Sequence, residues 1–512
     1  MRTNRNRSRT TGLVGAALVT ALALAGCSAG DGSVDRAEGG TGRAQDRGES
    51  AEIQPGPSDV DMPAPDPDTW GATGEADMTD PADDALSTFA LDIDTGSYTR
   101  FRDSVANGTW IDPGEVRTEE FVNYFAQDYD APERGLGVSI DATALPFRPE
   151  HQLVRVGVSS AAPAAADRPD ADLVLVVDCS GSMGDYGKMD TTKAALHTLV
   201  SALRSTDRVG MICYSTTAEV ALEPTRVSER ASILDAVDAL EPQESTNAAA
   251  GLSLGYDMAM SMRTEGRMTR VVLISDGVAN VDEIDPEAIL SRISTEAKSG
   301  INLISVGVGI ETYNDELLEQ LADQGDGWHV YVDTDAEAER VFATGLTGSL
   351  VVAATDARAQ VEFDPAQVSG YRLIGYENRA IADEDFRNDA VDGGEVFAGH
   401  TTTALYEVAL RDGRPDGPFV TATVRYLDDA GEAVERTSTL DGSECATSLR
   451  EASPRLRQDL VVALLADRLV DGPWSRVVSA ADLRAEADKL PGLLDGDPDV
   501  AQLADLVNEA TA

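Results

Sequence analysis

The sequence predicts an α/β protein built on a doubly wound, mostly parallel sheet. A small α+β module flanks it on the amino-terminal side, and a β-rich, then helical, module on the carboxy-terminal side. Three observations carry this. Apolar runs such as Leu173–Val177 and Val271–Ile274 read as strands buried on both faces. Helical stripes stand between such runs, with Leu196, Leu199, Val200 and Leu203 at i, i+3, i+4 and i+7. Beyond Thr355 the pattern changes to short alternating runs, and then to amphipathic helices.

At 512 residues the chain is too long for a single core. It opens with Arg2, Arg5, Arg7 and Arg9, followed by an apolar run, Leu13 to Gly26, too short to span a bilayer permanently. Residues 1–26 therefore read as a secretory signal. Leu24-Ala25-Gly26-Cys27 resembles the lipobox of bacterial lipoproteins. That resemblance implies a lipidated Cys27 and a mature chain held outside the cytoplasmic membrane by its acyl chains. Residues 27–84 are rich in Gly, Pro, Asp and Ser, and acidic residues outnumber basic ones fifteen to three from Ser28 onward. Such a segment reads as a solvated tether with ends roughly 40 Å apart.

The formal charge is −49, from 41 basic and 90 acidic residues. Loss of the four signal arginines leaves 37 basic against the same 90 acidic, or −53. A polyanion of this size is repelled by nucleic acid and anionic headgroups, so no nucleic-acid partner is expected. With Cys27 lipidated, Cys179, Cys213 and Cys445 remain, and three cysteines cannot all pair within one chain. No Cys-x-x-Cys or His-Glu-x-x-His is present, which removes the common zinc signatures.

The amino-terminal module, residues 85–165, should hold a short strand near Ser87–Asp94 and a helix after it. A second helix follows at Thr118–Phe125 with Phe121, Tyr124 and Phe125 inward, then strands at Gly137–Asp141 and Leu153–Val158. The central domain, residues 171–349, alternates strand and helix. Its strands fall at Leu173–Val177, Arg208–Tyr214, Glu219–Leu222, Arg270–Ser275, Asn302–Val306 and Trp328–Val332. Its helices include Glu229–Leu240, Ala248–Met262, Pro286–Ser299, Asp315–Ala322 and Ala336–Thr347. The last module, residues 355–512, should contain five antiparallel strands between Gln360 and Leu440, and helices at Arg455–Val470, Ser479–Lys489 and Asp499–Glu509.

The first buried strand ends in Asp178-Cys179-Ser180-Gly181-Ser182, so three hard oxygens sit on one tight loop at its carboxyl end. That is the edge where open α/β sheets bind ligands, and hard oxygens suit magnesium above all. Glu244-Ser245-Thr246-Asn247 precedes a helical pattern, and Val271-Val272-Leu273-Ile274-Ser275-Asp276-Gly277 reads as a second strand capped by an acid. At these residues the chain resembles the von Willebrand factor type A (VWA) domain and its metal-ion-dependent adhesion site (MIDAS). The resemblance implies a metal site formed by Asp178, Ser180, Ser182, Thr246 and Asp276, taking Mg2+, with Ca2+ or Mn2+ as alternatives. In that fold the strands carrying Cys179 and Cys213 are parallel neighbours, so a bridge is open to them in an oxidising compartment; the expectation is two buried thiols.

The flanks are similar to those of a three-part bacterial subgroup of VWA lipoproteins. Thr88-Phe89-Ala90-Leu91-Asp92-Ile93-Asp94-Thr95-Gly96-Ser97-Tyr98 and Glu119-Glu120-Phe121-Val122-Asn123-Tyr124-Phe125 resemble its amino-terminal segment. Tyr371-Arg372-Leu373-Ile374-Gly375-Tyr376 and Ala398-Gly399-His400-Thr401-Thr402-Thr403 resemble its carboxy-terminal, YfbK-like domain.

Other motifs point nowhere. Asp94-Thr95-Gly96 mimics an aspartic protease, but no second such loop supplies the partner carboxylate; Asp94 or Thr95 reads better as a helix cap. Asp92 and Asp94 lack the lysine and later acids that a phosphatase nucleophile pair requires. Gly181 to Lys188 fails as a phosphate-binding loop because Met189 stands where Ser or Thr is needed. His329 and His400 have no cysteine or serine partner for nucleophilic catalysis.

The functional expectation is a non-catalytic, membrane-anchored protein outside the cytoplasm. It would bind a partner's Asp or Glu carboxylate through the metal, since no general base stands near the motif to activate metal-bound water. The alternative is a metal-assisted hydrolase of the cell envelope. Chelator-sensitive capture of a partner marks the first, and metal-dependent turnover lost in Asp276→Ala marks the second.

Overall fold

The computed structural model describes residues 78–511, apart from 92, 163–167, 278–285, 310–314, 347–350, 377–378, 389–390, 392, 412, 414, 416 and 429. The signal segment 1–26, Cys27 and the tether up to residue 77 lie outside the described residues. The amino-terminal flank contains β1 (Leu86–Ala90), α1 (Gly96–Ala106), α2 (Thr118–Asn123), β2 (Leu136–Leu145) and β3 (Arg148–Ser160). The central domain follows with β4 (Asp170–Asp178), α3 (Lys188–Ala202), β5 (Arg208–Tyr214), β6 (Ala218–Arg226), α4 (Arg230–Asp238) and α5 (Ala248–Met262). It continues through β7 (Arg267–Ser275), α6 (Pro286–Ala297), β8 (Ile301–Val308), α7 (Asp315–Gln324) and β9 (Trp328–Val332). Where one closing helix is expected, a single turn, α8 (Asp335–Ala338), runs into a π-helical stretch, Glu339–Leu346.

The central sheet has the order β6-β5-β4-β7-β8-β9, parallel except for β6. Alternation along β4 shows why it is wound on both faces. Leu173, Leu175 and Val177 pack with Leu196, Leu199 and Ile233 of α3 and α4. Val174 and Val176 pack with Leu252, Tyr256 and Ala259 of α5. The chain leaves β4 for β5 on one side and returns to pair β7 on the other, so the strand order reverses between β4 and β7. At such a switch point the loops diverge and leave a crevice at the carboxyl edge.

The carboxy-terminal flank supplies β10 (Val352–Phe363), β11 (Val368–Ile374), β12 (Gly394–Phe397), β13 (Thr401–Leu410), β14 (Pro418–Leu427) and β15 (Ala433–Asp441). Helices α9 (Pro454–Leu469), α10 (Ala480–Ala487), α11 (Leu490–Leu493) and α12 (Pro498–Ala510) complete it. The two flanks share their sheets. One has the order β1-β10-β14-β15, with β12 also on β10, and the other β11-β13-β3-β2. Val154, Val156 and Val158 of β3 face Ala359, Val361 and Phe363 of β10 across a common core. The helices share a second core, in which Tyr98, Phe101, Phe121 and Phe125 meet Leu460, Leu464, Trp474 and Leu503. Order also starts before the expected end of the tether at Asp84: Thr79 exchanges backbone hydrogen bonds with Tyr371 at 2.9 and 3.0 Å.

Polar contacts fix the central domain to this frame. Arg102 of α1 donates to Asp333 at 2.9 Å and to Glu337 at 2.9 Å, and its Nη1 also bonds the Tyr124 hydroxyl. Asp94 does not cap α1. Its Oδ1 accepts the backbone N–H of His329 on β9 at 2.8 Å. Thr95, in the N-cap position, makes no side-chain cap bond. Glu120 of α2 takes over that task, accepting from Ser97 N at 2.8 Å, since an open helix start needs an acceptor from somewhere.

Candidate metal centre

β4 ends on Asp178 and β7 on Ser275, so the two motif acids, Asp178 and Asp276, reach the same rim from adjacent parallel strands. Both are fully buried. Asp178 Oδ1 accepts from Ser180 N at 2.8 Å, the local bond that tightens the loop. Its Oδ2 accepts from the Tyr214 hydroxyl at 3.0 Å and from Ser275 Oγ at 2.9 Å. Three of the four lone-pair positions of this carboxylate are thus taken. Ser180 and Ser182 hold their hydroxyls 3.0 Å apart, Ser180 buried and Ser182 partly exposed. Gly277, at φ +80°, turns the chain sharply after Asp276, and its N–H meets Ser275 Oγ at 3.2 Å.

Thr246 stands one residue before Asn247, whose side chain caps α5 by accepting from Ala250 N at 3.0 Å. Its loop is tied to the first through Gln243 N, which donates to Cys179 O at 2.7 Å. Ser245 lies in the left-handed region at φ 67°, an uncommon setting for a non-glycine residue. Among the described residues no hydrogen bond joins the Thr246 hydroxyl to the other four side chains. The structure therefore holds Asp178, Ser180 and Ser182 in one hydrogen-bonded loop, sets Asp276 just past the end of the adjacent strand, and brings the Thr246 loop to the same edge through its backbone.

Burial pushes the Asp178 carboxyl upward, and the Asp276 charge adds to that, while hydrogen bonds from Ser180 and Ser275 oppose it. Two buried acids that repel each other beside a pair of hydroxyls form a donor set suited to a hard divalent cation. Among the described residues no group of three or more His, Cys, Asp or Glu side chains converges. The charge here comes from two carboxylates and the remaining oxygens are neutral, so the set fits a hard divalent cation rather than a thiolate or imidazole metal.

Sequence reasoning missed Tyr214, Ser275 and Lys188. Tyr214 lies opposite Asp178 in the parallel register, so only the strand pairing reveals it. Lys188 Nζ lies 3.0 Å from Asp276 Oδ2, 88 residues along the chain.

Cys179 and Cys213 form a disulfide, Cα atoms 5.8 Å apart, in place of the expected thiols. Pairing of Asp178 with Tyr214 and the bond from Cys179 N to Tyr214 O (2.8 Å) bring the two side chains together. Cys445 is buried and forms no disulfide among the described residues. The bridge ties the residue between Asp178 and Ser180 to the next strand across 34 residues of sequence. In a chain-entropy picture such a loop contributes about 3–4 kcal/mol. Cys213→Ser, or reduction by a dithiol, is expected to lower the melting temperature and to weaken Mg2+ binding several-fold. Calorimetry on oxidised and reduced protein checks this, and unchanged affinity would show that the bridge plays no part in shaping the loop.

The model for the von Willebrand factor type A domain matches residues 172–344. A model described as von Willebrand factor matches 65–155, and one described as Uncharacterized protein YfbK, C-terminal, matches 348–447. Uncharacterized protein YfbK of Escherichia coli (strain K12) is 35% identical over 338 residues, 64% of this chain and 59% of its own length. Uncharacterized protein sll0103 of Synechocystis is 27% identical over 212 residues, covering 41% and 49%. The chain thus spans about half to three fifths of the length of these curated relatives. A solved von Willebrand factor type A protein from Catenulispora acidiphila aligns over 75% of this chain and 88% of its own, at 16% identity and TM-score 0.42.

Proposed function

Since residues 172–344 are a von Willebrand factor type A domain, set between the amino- and carboxy-terminal domains of a three-part architecture, we propose that this protein is a non-catalytic adhesion or scaffold protein. It would capture a partner's Asp or Glu carboxylate through a divalent cation held by Asp178, Ser180, Ser182, Thr246 and Asp276. The observation that carries this reading is the meeting of two buried, mutually repelling acids with the Ser180–Ser182 hydroxyl pair at the switch point of the sheet. In this role Ser180 and Ser182 offer direct ligands. Asp178, its oxygens largely committed to Tyr214, Ser275 and Ser180, supplies charge and fixes the loop. A cation held there would supply a Lewis-acidic point able to bind an incoming carboxylate in preference to water. We place the protein outside the cytoplasmic membrane, anchored through lipid on Cys27, with Mg2+ as the ion and Ca2+ or Mn2+ as substitutes.

Capture of a partner from envelope extract should be lost both with chelator and in Asp178→Ala. Metal-dependent turnover of phosphoester or peptide libraries, lost in Asp276→Ala, would replace this reading with the hydrolase. A chain of formal charge −49 repels a carboxylate-bearing partner at long range. The association rate should therefore rise with ionic strength; a rate that falls would identify a basic partner surface instead.

A further inference from the structure

Lys188 occupies a position with little local reason for a lysine. It is the first residue of α3, after Gly187 at φ 76°. A cation in a helix's first turn opposes the helix dipole. It is also only 5% exposed, and a buried ammonium persists only with a partner. That partner is Asp276 Oδ2 at 3.0 Å, one of the two acids of the metal centre. A divalent cation and the Lys188 ammonium are therefore alternative sources of positive charge for the same buried carboxylate.

The lysine also has somewhere else to go. It lines a cavity of about 300 Å³ at the carboxyl edge of β8 and β9, whose walls include Asp103, Tyr186, Gly309, Tyr331 and Asp333. Gly309, at φ +82°, leaves room for the stem: a Cβ there would lie 2.4 Å from Lys188 Cε. Asp103 accepts from the Tyr331 hydroxyl at 3.0 Å and from Asn107 Nδ2 at 2.9 Å, yet forms no ion pair among the described residues. Asp333 is held by Arg102. Burial and the neighbouring Asp333 charge push the Asp103 carboxyl up to about 6, the mark of an acid short of positive charge.

We propose that Lys188 is a built-in competitor for the metal: it neutralises Asp276 until a divalent cation takes its place, and the displaced ammonium then swings into the adjoining cavity to pair with Asp103. Metal binding at the central domain is thereby coupled to α1 of the amino-terminal flank, which carries Asp103. The inference rests on the proposed metal site and adds a competitor and a destination to it.

The test is calorimetric titration with Mg2+, paired with thermal melts in EDTA and in saturating Mg2+. Lys188→Met, which keeps the stem without the charge, should bind Mg2+ about tenfold or more tightly than wild type. It should melt lower than wild type in EDTA, because Asp276 loses its counter-charge, and the gap should close in Mg2+. Asp103→Asn should weaken Mg2+ binding several-fold in the wild-type background and leave it unchanged in Lys188→Met, a coupling that only a shared lysine explains. Asp103 is half-buried and outside the ligand set, so should Lys188→Met fold poorly, unchanged Mg2+ binding by Asp103→Asn in the wild-type background overturns the proposed pairing by itself. Equal or weaker binding by Lys188→Met, or an Asp103→Asn effect of the same size in both backgrounds, overturns the competitor. Absence of Mg2+, Ca2+ and Mn2+ binding in wild type and Lys188→Met alike overturns the metal site itself.

Discussion

Asp178→Asn is expected to abolish divalent-cation binding, lowering Mg2+ affinity by at least about 100-fold, while the protein stays folded. The amide keeps an oxygen for the Tyr214 and Ser275 hydroxyls that now donate to Oδ2. Its –NH2 replaces the oxygen that accepts Ser180 N, so one local hydrogen bond is lost, at about 1 kcal/mol. Removing a charge that burial and Asp276 both disfavour offsets part of that cost. Asp178→Ala is harsher: it strands two buried hydroxyl donors and an amide, each worth about 1–3 kcal/mol. The contrast separates a binding defect from a folding defect. Titration calorimetry with Mg2+, alongside urea unfolding in EDTA, should show the asparagine variant near wild type in stability and silent toward the metal. Retained affinity would remove Asp178 from the site.

Glu407→Ala is expected to cost about 3–5 kcal/mol, the largest stability loss in the flanking body. Glu407 sits in the middle of β13 with its side chain wholly buried. It accepts from Arg148 at 2.8 Å, Arg372 at 2.9 Å and Trp474 Nε1 at 2.8 Å, and His151 Nδ1 lies 2.7 Å away. Those partners come from β3, β11 and the segment after α9, so one carboxylate joins both flanks and the helical layer. Alanine leaves two guanidinium groups and an indole N–H without their acceptor. Burial raises the carboxyl, but hydrogen bonds from His151 and Arg372 and the Arg372 charge outweigh it and hold the group at about 2 against an ordinary 4.5. The folded value lies below the unfolded one. This contribution is therefore complete above about pH 4.5 and is lost as pH falls toward 2, amounting to about 3 kcal/mol. Glu407→Gln should be less stable than wild type at pH 7, and the gap should shrink by pH 3. A constant gap would show that the charge is not what matters.

The central domain was legible because its signals are local. β5, α5 and β9 fall on their expected limits, since apolar runs end at polar residues and Asn247 caps its helix. The motif acids stand at strand ends that adjoin in the sheet, although only the structure supplies the strand order. What escaped depends on pairing across long separations. Phe89 lies opposite Ala359, and Thr403 opposite Gly157, so no local period shows that the two flanks interleave. β12 is only four residues long and begins with a glycine, too brief for an alternation to register. Lys188 looked like the tail of a failed phosphate-binding loop because its partner Asp276 belongs to another strand. The disulfide needed the register of β4 against β5, which two cysteines in sequence do not supply.

The claim on which the rest depends is that one cation sits between the ends of β4 and β7. Anomalous diffraction from crystals soaked in Mn2+ tests it most directly. A single strong peak is expected, bounded by the Ser180 and Ser182 hydroxyls, Thr246 and the two acids Asp178 and Asp276. A peak elsewhere, or none at saturating Mn2+, would contradict it.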